Sequence, residues 1–278
     1  MRIGTCVVGC WLALCACSWA AVEKPENIEQ WSVKSGSNFA VYLENKTLDP
    51  EPVLKALEEF QTALAGEFRV QAASRERVAV YVFETRAGFE KFLVRSGGPK
   101  SAAGWYHSGD GSQFIATSCK DLGESDPAWE TLRHEGTHLF LFTQIPNGQR
   151  LPEWINEGLA VYYSHARVAE GKVVEVSLVP AELYGIQGAI KMGSAEPLRK
   201  HMGRRKGEHW DRTKTLESWS IVWWLMKGED GARRDKLRAY VLKAGGARSP
   251  VSEFEKTLGM KVEEAEKEWK KYVLNRSM

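Results

Sequence analysis

The sequence predicts an α+β fold in which a small α/β layer precedes a mainly helical part. Two observations predict it. Residues 38–118 alternate between period-2 strand patterns and helical apolar spacing, whereas the pattern from Asp126 onward is helical. The chain has 278 residues, 43% of them hydrophobic, which is enough for one sizeable core or two small ones. Charged residues make up 27% and the net charge is +2, so composition gives no electrostatic case for nucleic acid or an acidic membrane surface as partner.

The first twenty residues, "MRIGTCVVGCWLALCACSWA", read as a secretory signal peptide. Arg2 supplies the positive end, an apolar run extends from Ile3 to Ala16, and Ser18 and Ala20 are small residues before a cleavage point. The alternative is a lipoprotein leader, because Leu14-Cys15-Ala16-Cys17 resembles a lipobox and would place a lipid anchor at Cys17. Either leader makes the protein exported, and no other stretch is apolar and long enough to span a bilayer. Four of the five cysteines lie in this segment, so the remainder keeps Cys119 alone and folds without an internal disulfide.

Residues 38–45 alternate and are rich in strand formers. Residues 50–65 place Val53, Leu54, Leu57, Phe60 and Leu64 at helical spacing. Residues 77–84 form the clearest strand, 87–94 resume a helical period, and 101–118 read as two strands around a Gly-Asp-Gly turn. Asp126-Pro127 then resembles a helix start, with the helix running to about Thr143, and Pro152 opens another over 153–165. Further helical periods cover 215–227, 232–243 and 262–274, and 199–214 is a charged connection. The expected division is a leader over 1–20, an α/β subdomain over 21–125 and a helical subdomain over 126–278.

Residues 134–138 read "HEGTH". Four-residue spacing on a helix puts His134 and His138 on one face, one turn apart, so that two ring nitrogens can converge on a zinc ion. Glu135 lies one position round, where a carboxylate can take a proton from a metal-bound water. The surrounding Leu132, Leu139, Phe140 and Phe142 are strongly apolar, and polar groups in such an element need a partner. No third histidine follows closely. The third ligand is sought in "PEWINEGLAVYY": Glu157 comes after an 18-residue gap, Glu153 lies a turn earlier on the same face, and His165 is a further rival. Gly158 would let this helix approach the first closely.

"HEGTH", the gap and "NEGLA" together resemble the gluzincin pattern of zinc peptidases. The whole chain, over roughly 38–274, is similar to peptidase MA-like, DUF1570-type bacterial proteins, through "GWY…FIA", "LPEWINEGLAVYY", "SWSIVWWL" and the spacing of "EFEKTLGMKVEEAEKEWKKYV". The resemblance implies a zincin-like fold with a cleft-edge strand. It also implies a zinc-dependent metallopeptidase with His134, His138 and Glu157 as ligands and Glu135 as general base. By the same resemblance, Gln113, Phe114, Ile115, Ala116 and Thr117 would bind an extended peptide or protein substrate through backbone pairing.

Two departures stand beside it. Val161 occupies the position where thermolysin-like enzymes carry an acidic residue that orients a ligand histidine. No oxyanion donor is assigned, with Tyr162, Tyr163, Tyr184 and His209 as candidates. This gap keeps two other readings open: a binding module that retains the zinc fold without turnover, and a purely structural metal site. Trp219, Trp223 and Trp224, and the stripe Val262, Ala265, Trp269, Tyr272 and Val273, read as helical core, and Trp105 and Tyr106 as core or substrate contacts. His107, His165 and His201 have no partner in the spacing.

Overall fold

The computed structural model describes residues 24–71, 76–99, 102–109, 112–123, 126–204 and 208–277. The leader expected at 1–20, with Cys17, and the tip of the Gly-Asp-Gly turn lie outside the described residues. The chain is mixed α+β around one mixed sheet. In order it forms β1 (Ser32–Ser35), β2 (Phe39–Leu43), α1 (Glu51–Phe68), β3 (Val78–Phe83), α2 (Arg86–Arg95), β4 (Gly104–Gly109), β5 (Ser112–Ser118) and α3 (Ala128–Gln144). There follow α4 (Glu153–Ser164), β6 (Ala166–Ala169), β7 (Lys172–Val176), α5 (Pro180–Lys191), α6 (Leu198–Met202), α7 (Arg212–Lys227), α8 (Arg234–Ala244), α9 (Pro250–Leu258) and α10 (Val262–Leu274).

The sheet order is β1-β2-β3-β5-β4, parallel in the middle and antiparallel at both ends. The central β3 is apolar on both faces because both are covered. Its Val78, Val80 and Val82 join Phe39, Val41, Ile115, Leu54 and Leu57 in one cluster, closed by Ala128, Leu132 and Leu139 of α3. Its Tyr81 and Phe83 face the other way, against Phe89, Phe92 and Leu93 of α2. A third cluster is the helical body. Its centre is Trp154, Trp219, Trp224, Tyr240, Phe254 and Trp269, and Phe60, Leu64 and Phe68 of α1 and Phe140 and Leu141 of α3 reach into it. Helices α1 and α3 therefore belong to the sheet core and the helical core at once.

Local chemistry sets the helix starts. Asp49 accepts the Glu51 N–H at 2.9 Å, Thr85 accepts the Gly88 N–H at 3.1 Å, and Asp126 accepts the Ala128 N–H at 2.8 Å. The α3 start falls where Asp126-Pro127 predicted it. The part expected to be mainly helical also carries the β6–β7 hairpin, closed by a Glu170–Gly171 turn in which both residues have positive φ. Helices α5 and α9 were not anticipated, and all of α6 but Leu198, with the first turn of α7, lies within the stretch read as a charged connection.

Gly158 performs a different task from the one expected of it. A Cβ there would lie 2.6 Å from the Ser218 carbonyl oxygen and 2.8 Å from Val222, so the missing side chain admits α7, not α3. Gly158→Ala should therefore force α4 and α7 apart and cost about 1–3 kcal/mol through overpacking. A urea midpoint unchanged from the parent would show that the two helices tolerate the methyl group.

Candidate metal centre

Helix α3 carries His134 and His138, and α4, packed against it, carries Glu157. The 18-residue gap is the end of α3, the turn through Asn147 to Leu151, and the first turn of α4. The two Nε2 atoms lie 3.1 Å apart. Glu157 Oε1 is 3.5 Å from His138 Nε2, and Oε2 is 3.9 Å from His134 Nε2. Ligand atoms in a tetrahedral zinc shell with bonds of about 2.1 Å are spaced by about 3.3 Å, which these separations bracket. Donor chemistry and spacing therefore fit a metal ion, and the three side chains keep 25%, 13% and 20% exposure, which leaves an approach from the cleft.

The surroundings hold the imidazoles in place. Asn156 Oδ1 lies 3.2 Å from His138 Nδ1, which favours the tautomer with a proton on Nδ1 and a lone pair on Nε2. Asn156 thus supplies, from the residue before Glu157, the orienting contact that Val161 cannot. Gln61 Nε2 donates to the Gly136 carbonyl at 2.8 Å and ties α1 to the motif turn. Glu135 accepts the Tyr106 backbone N–H at 2.8 Å. A Cβ on Gly104 would come within 2.9 Å of the Glu135 side chain and closer still to Thr131, so β4 packs against α3 only because residue 104 has none.

Electrostatics follow from burial. Burial raises the Glu135 carboxyl to about 7, against the pull of His138 and the Tyr106 N–H. Burial also raises Glu157, although His138 opposes it. His134 is pushed well down by burial and by the neighbouring imidazoles. In His138 burial acts downward, but Glu157, Glu135 and Asn156 outweigh it and the group titrates above its ordinary value.

A cleft of about 370 Å³ opens over these groups, with Gly104, Trp105, Tyr106, Phe142 and Glu153 in its wall. Glu153, the rival ligand, lines the cleft but is outside the converging group. His165, the other rival, sits between Glu130 at 3.6 Å and Glu182 at 3.3 Å. The substrate strand expected at Gln113–Thr117 is corrected. That segment is β5, paired with β3 on one side and β4 on the other, so it has no free edge. Phe114, Ile115, Ala116 and Thr117 are buried, and Gln113 alone is partly exposed. The edge strand on this side of the sheet is β4, whose Tyr106 N–H points away from β5 to Glu135. Chain order hid this, because the first strand of the hairpin is the outer one.

None of the four oxyanion candidates lines the cleft: Tyr162 and Tyr163 are buried in the helical body, Tyr184 is exposed, and His209 is exposed beside Asp211. Cys119 donates to Asp126 at 3.0 Å, and burial together with that carboxylate raises its thiol to about 11, too high for a nucleophile. Two contributors escaped the sequence reading, Asn156 as orienting group and Gly104 as contact point. A glycine inside a strand pattern was the available signal for the second.

Glu135 binds its proton more tightly folded than unfolded, so its contribution to stability is lost as pH rises from 4.5 to about 7. Glu135→Gln should leave the metal-free protein nearly unchanged at pH 4 and stabilise it relative to the parent by on the order of 3 kcal/mol at pH 8. Urea unfolding at the two pH values reads the difference; an equal effect at both would contradict a raised carboxyl. No family model matches this chain, and no curated protein matches it in sequence.

Proposed function

We propose that this protein is an exported, zinc-dependent metallopeptidase of the gluzincin type with a zincin-like layout. The observation that carries the reading is the convergence of His134 Nε2, His138 Nε2 and the Glu157 carboxylate at 3.1–3.9 Å in a cleft that also contains Glu135. A bound zinc ion would polarise a scissile carbonyl and lower the pKa of its water. Glu135, with a carboxyl near 7, is suited to take a proton from a water in the cleft and return it to the leaving amine at neutral pH. The Tyr106 N–H holds one carboxylate oxygen and leaves the other for that exchange. The outward edge of β4 is the backbone rail along which an extended peptide would lie, in place of β5.

A second reading is a zincin-fold module that binds metal and peptide without turnover. The absence of all four oxyanion candidates from the cleft wall favours it.

Elemental analysis should find about one zinc per chain in the parent and a clear loss in Glu157→Ala. Asn156→Ala should retain the site with zinc affinity weakened about 10–100-fold, measured by chelator competition. Glu135→Gln should keep its zinc and lose peptide hydrolysis across a mixed peptide library. Hydrolysis unchanged in that variant would sink the peptidase assignment, and zinc and peptide binding with no cleavage by the parent would select the second reading.

A further inference from the structure

A second cavity, of about 470 Å³, lies between α1, α3 and β6 and shares no lining residue with the metal cleft. Leu57, Phe60, Trp129, Leu132 and Val168 give it an apolar wall. Its charged groups are mostly paired. Glu130 faces His165 at 3.6 Å, Glu59 faces Lys55 at 3.9 Å, and Arg167 faces Glu175 at 3.3 Å. Arg133 is the exception. Its Nε donates to the Ser164 carbonyl at 2.7 Å, its Nη1 and Nη2 make no hydrogen bond or close ion pair among the described residues, and the Glu130 carboxylate acts on its charge only from farther off. The two terminal nitrogens keep access to solvent in the cavity, and their planar fork is complementary to a carboxylate.

We propose that this cavity is a binding site for a small amphipathic monocarboxylate, held by the Arg133 fork, with its hydrocarbon body against Leu57, Phe60, Trp129 and Leu132. The wall chemistry selects this class. A cationic ligand would face Arg133 directly. A dianion such as a phosphate monoester would bring a second charge beside Glu59 and Glu130 with no second free cation to meet it. A wholly apolar ligand would leave the fork dry and unpaired. The volume suits a chain or ring system of drug-like size. The inference does not depend on the peptidase reading, because no residue of the metal centre takes part.

Calorimetric titration of the purified protein with octanoate and with 4-phenylbutanoate tests it, with octan-1-ol as the uncharged control. Saturable binding of at least one acid at one site per chain is expected, with octan-1-ol at least tenfold weaker. Arg133→Gln should weaken the acid at least tenfold. Since that change also removes the bond to Ser164, Ala56→Trp provides the second variant: it fills the cavity from the α1 wall with Arg133 intact and should abolish binding. No binding by either acid, alcohol binding as tight as acid, or acid affinity unchanged in Ala56→Trp would each overturn the proposal.

Discussion

Helix α3 buries Ala128, Leu132 and Leu139 against the sheet and Phe140 and Leu141 in the helical body, and the remaining structure is arranged around that double burial. Between these two grips His134 and His138 are left facing the cleft. Packing density makes the grip firm, since each apolar contact fixes the rotation of the helix and so the direction of both imidazoles. Helix α1 acts in the same way from the other end. It enters both cores and anchors the motif turn through Gln61 and the Gly136 carbonyl.

The position of Glu157 is fixed by a chain of close approaches. Helix α4 meets α3 on the side of Glu157 and α7 on the other, where Gly158 lets the Ser218 carbonyl come near. Beneath that contact lies a buried polar network. His201 Nε2 is 2.9 Å from Ser218 Oγ, its Nδ1 is 3.0 Å from Glu217, and Glu217 in turn accepts the Glu196 N–H at 2.8 Å. Serine, histidine and carboxylate stand here in the order of a nucleophilic triad, but all three are buried and none lines either the metal cleft or the cavity beside α1. The network ties α6 to α7, the helix on which α4 rests, although His201 Nδ1 and one Glu217 oxygen remain buried without a hydrogen bond among the described residues.

The two cavities flanking α3 differ in charge. The metal cleft gathers the carboxylates of Glu135, Glu153 and Glu157 around two imidazoles, a composition suited to a cation. The cavity beside α1 leaves a guanidinium over. Adjacent residues, Arg133 and His134, face these opposite environments because successive positions on a helix are about 100° apart.

Much of this was legible in the chain. Periodicity located β2, β3, α1, α2, the hairpin and α3, because these segments carry their apolar residues at the spacing of the face they bury. The His134–His138 pair was legible because four residues make one turn, a local geometry that needs no knowledge of the fold. Glu157 is preferred over Glu153 and His165 from its neighbours Asn156 and Gly158 and then from the resemblance, since a residue 18 positions away is brought close only by the packing of two helices. Which strand is the free edge, which helix Gly158 admits, and that Asn156 orients His138 were decided by tertiary structure alone. Each depends on which surface faces which, and a periodic pattern specifies that a face is buried without naming the partner that buries it.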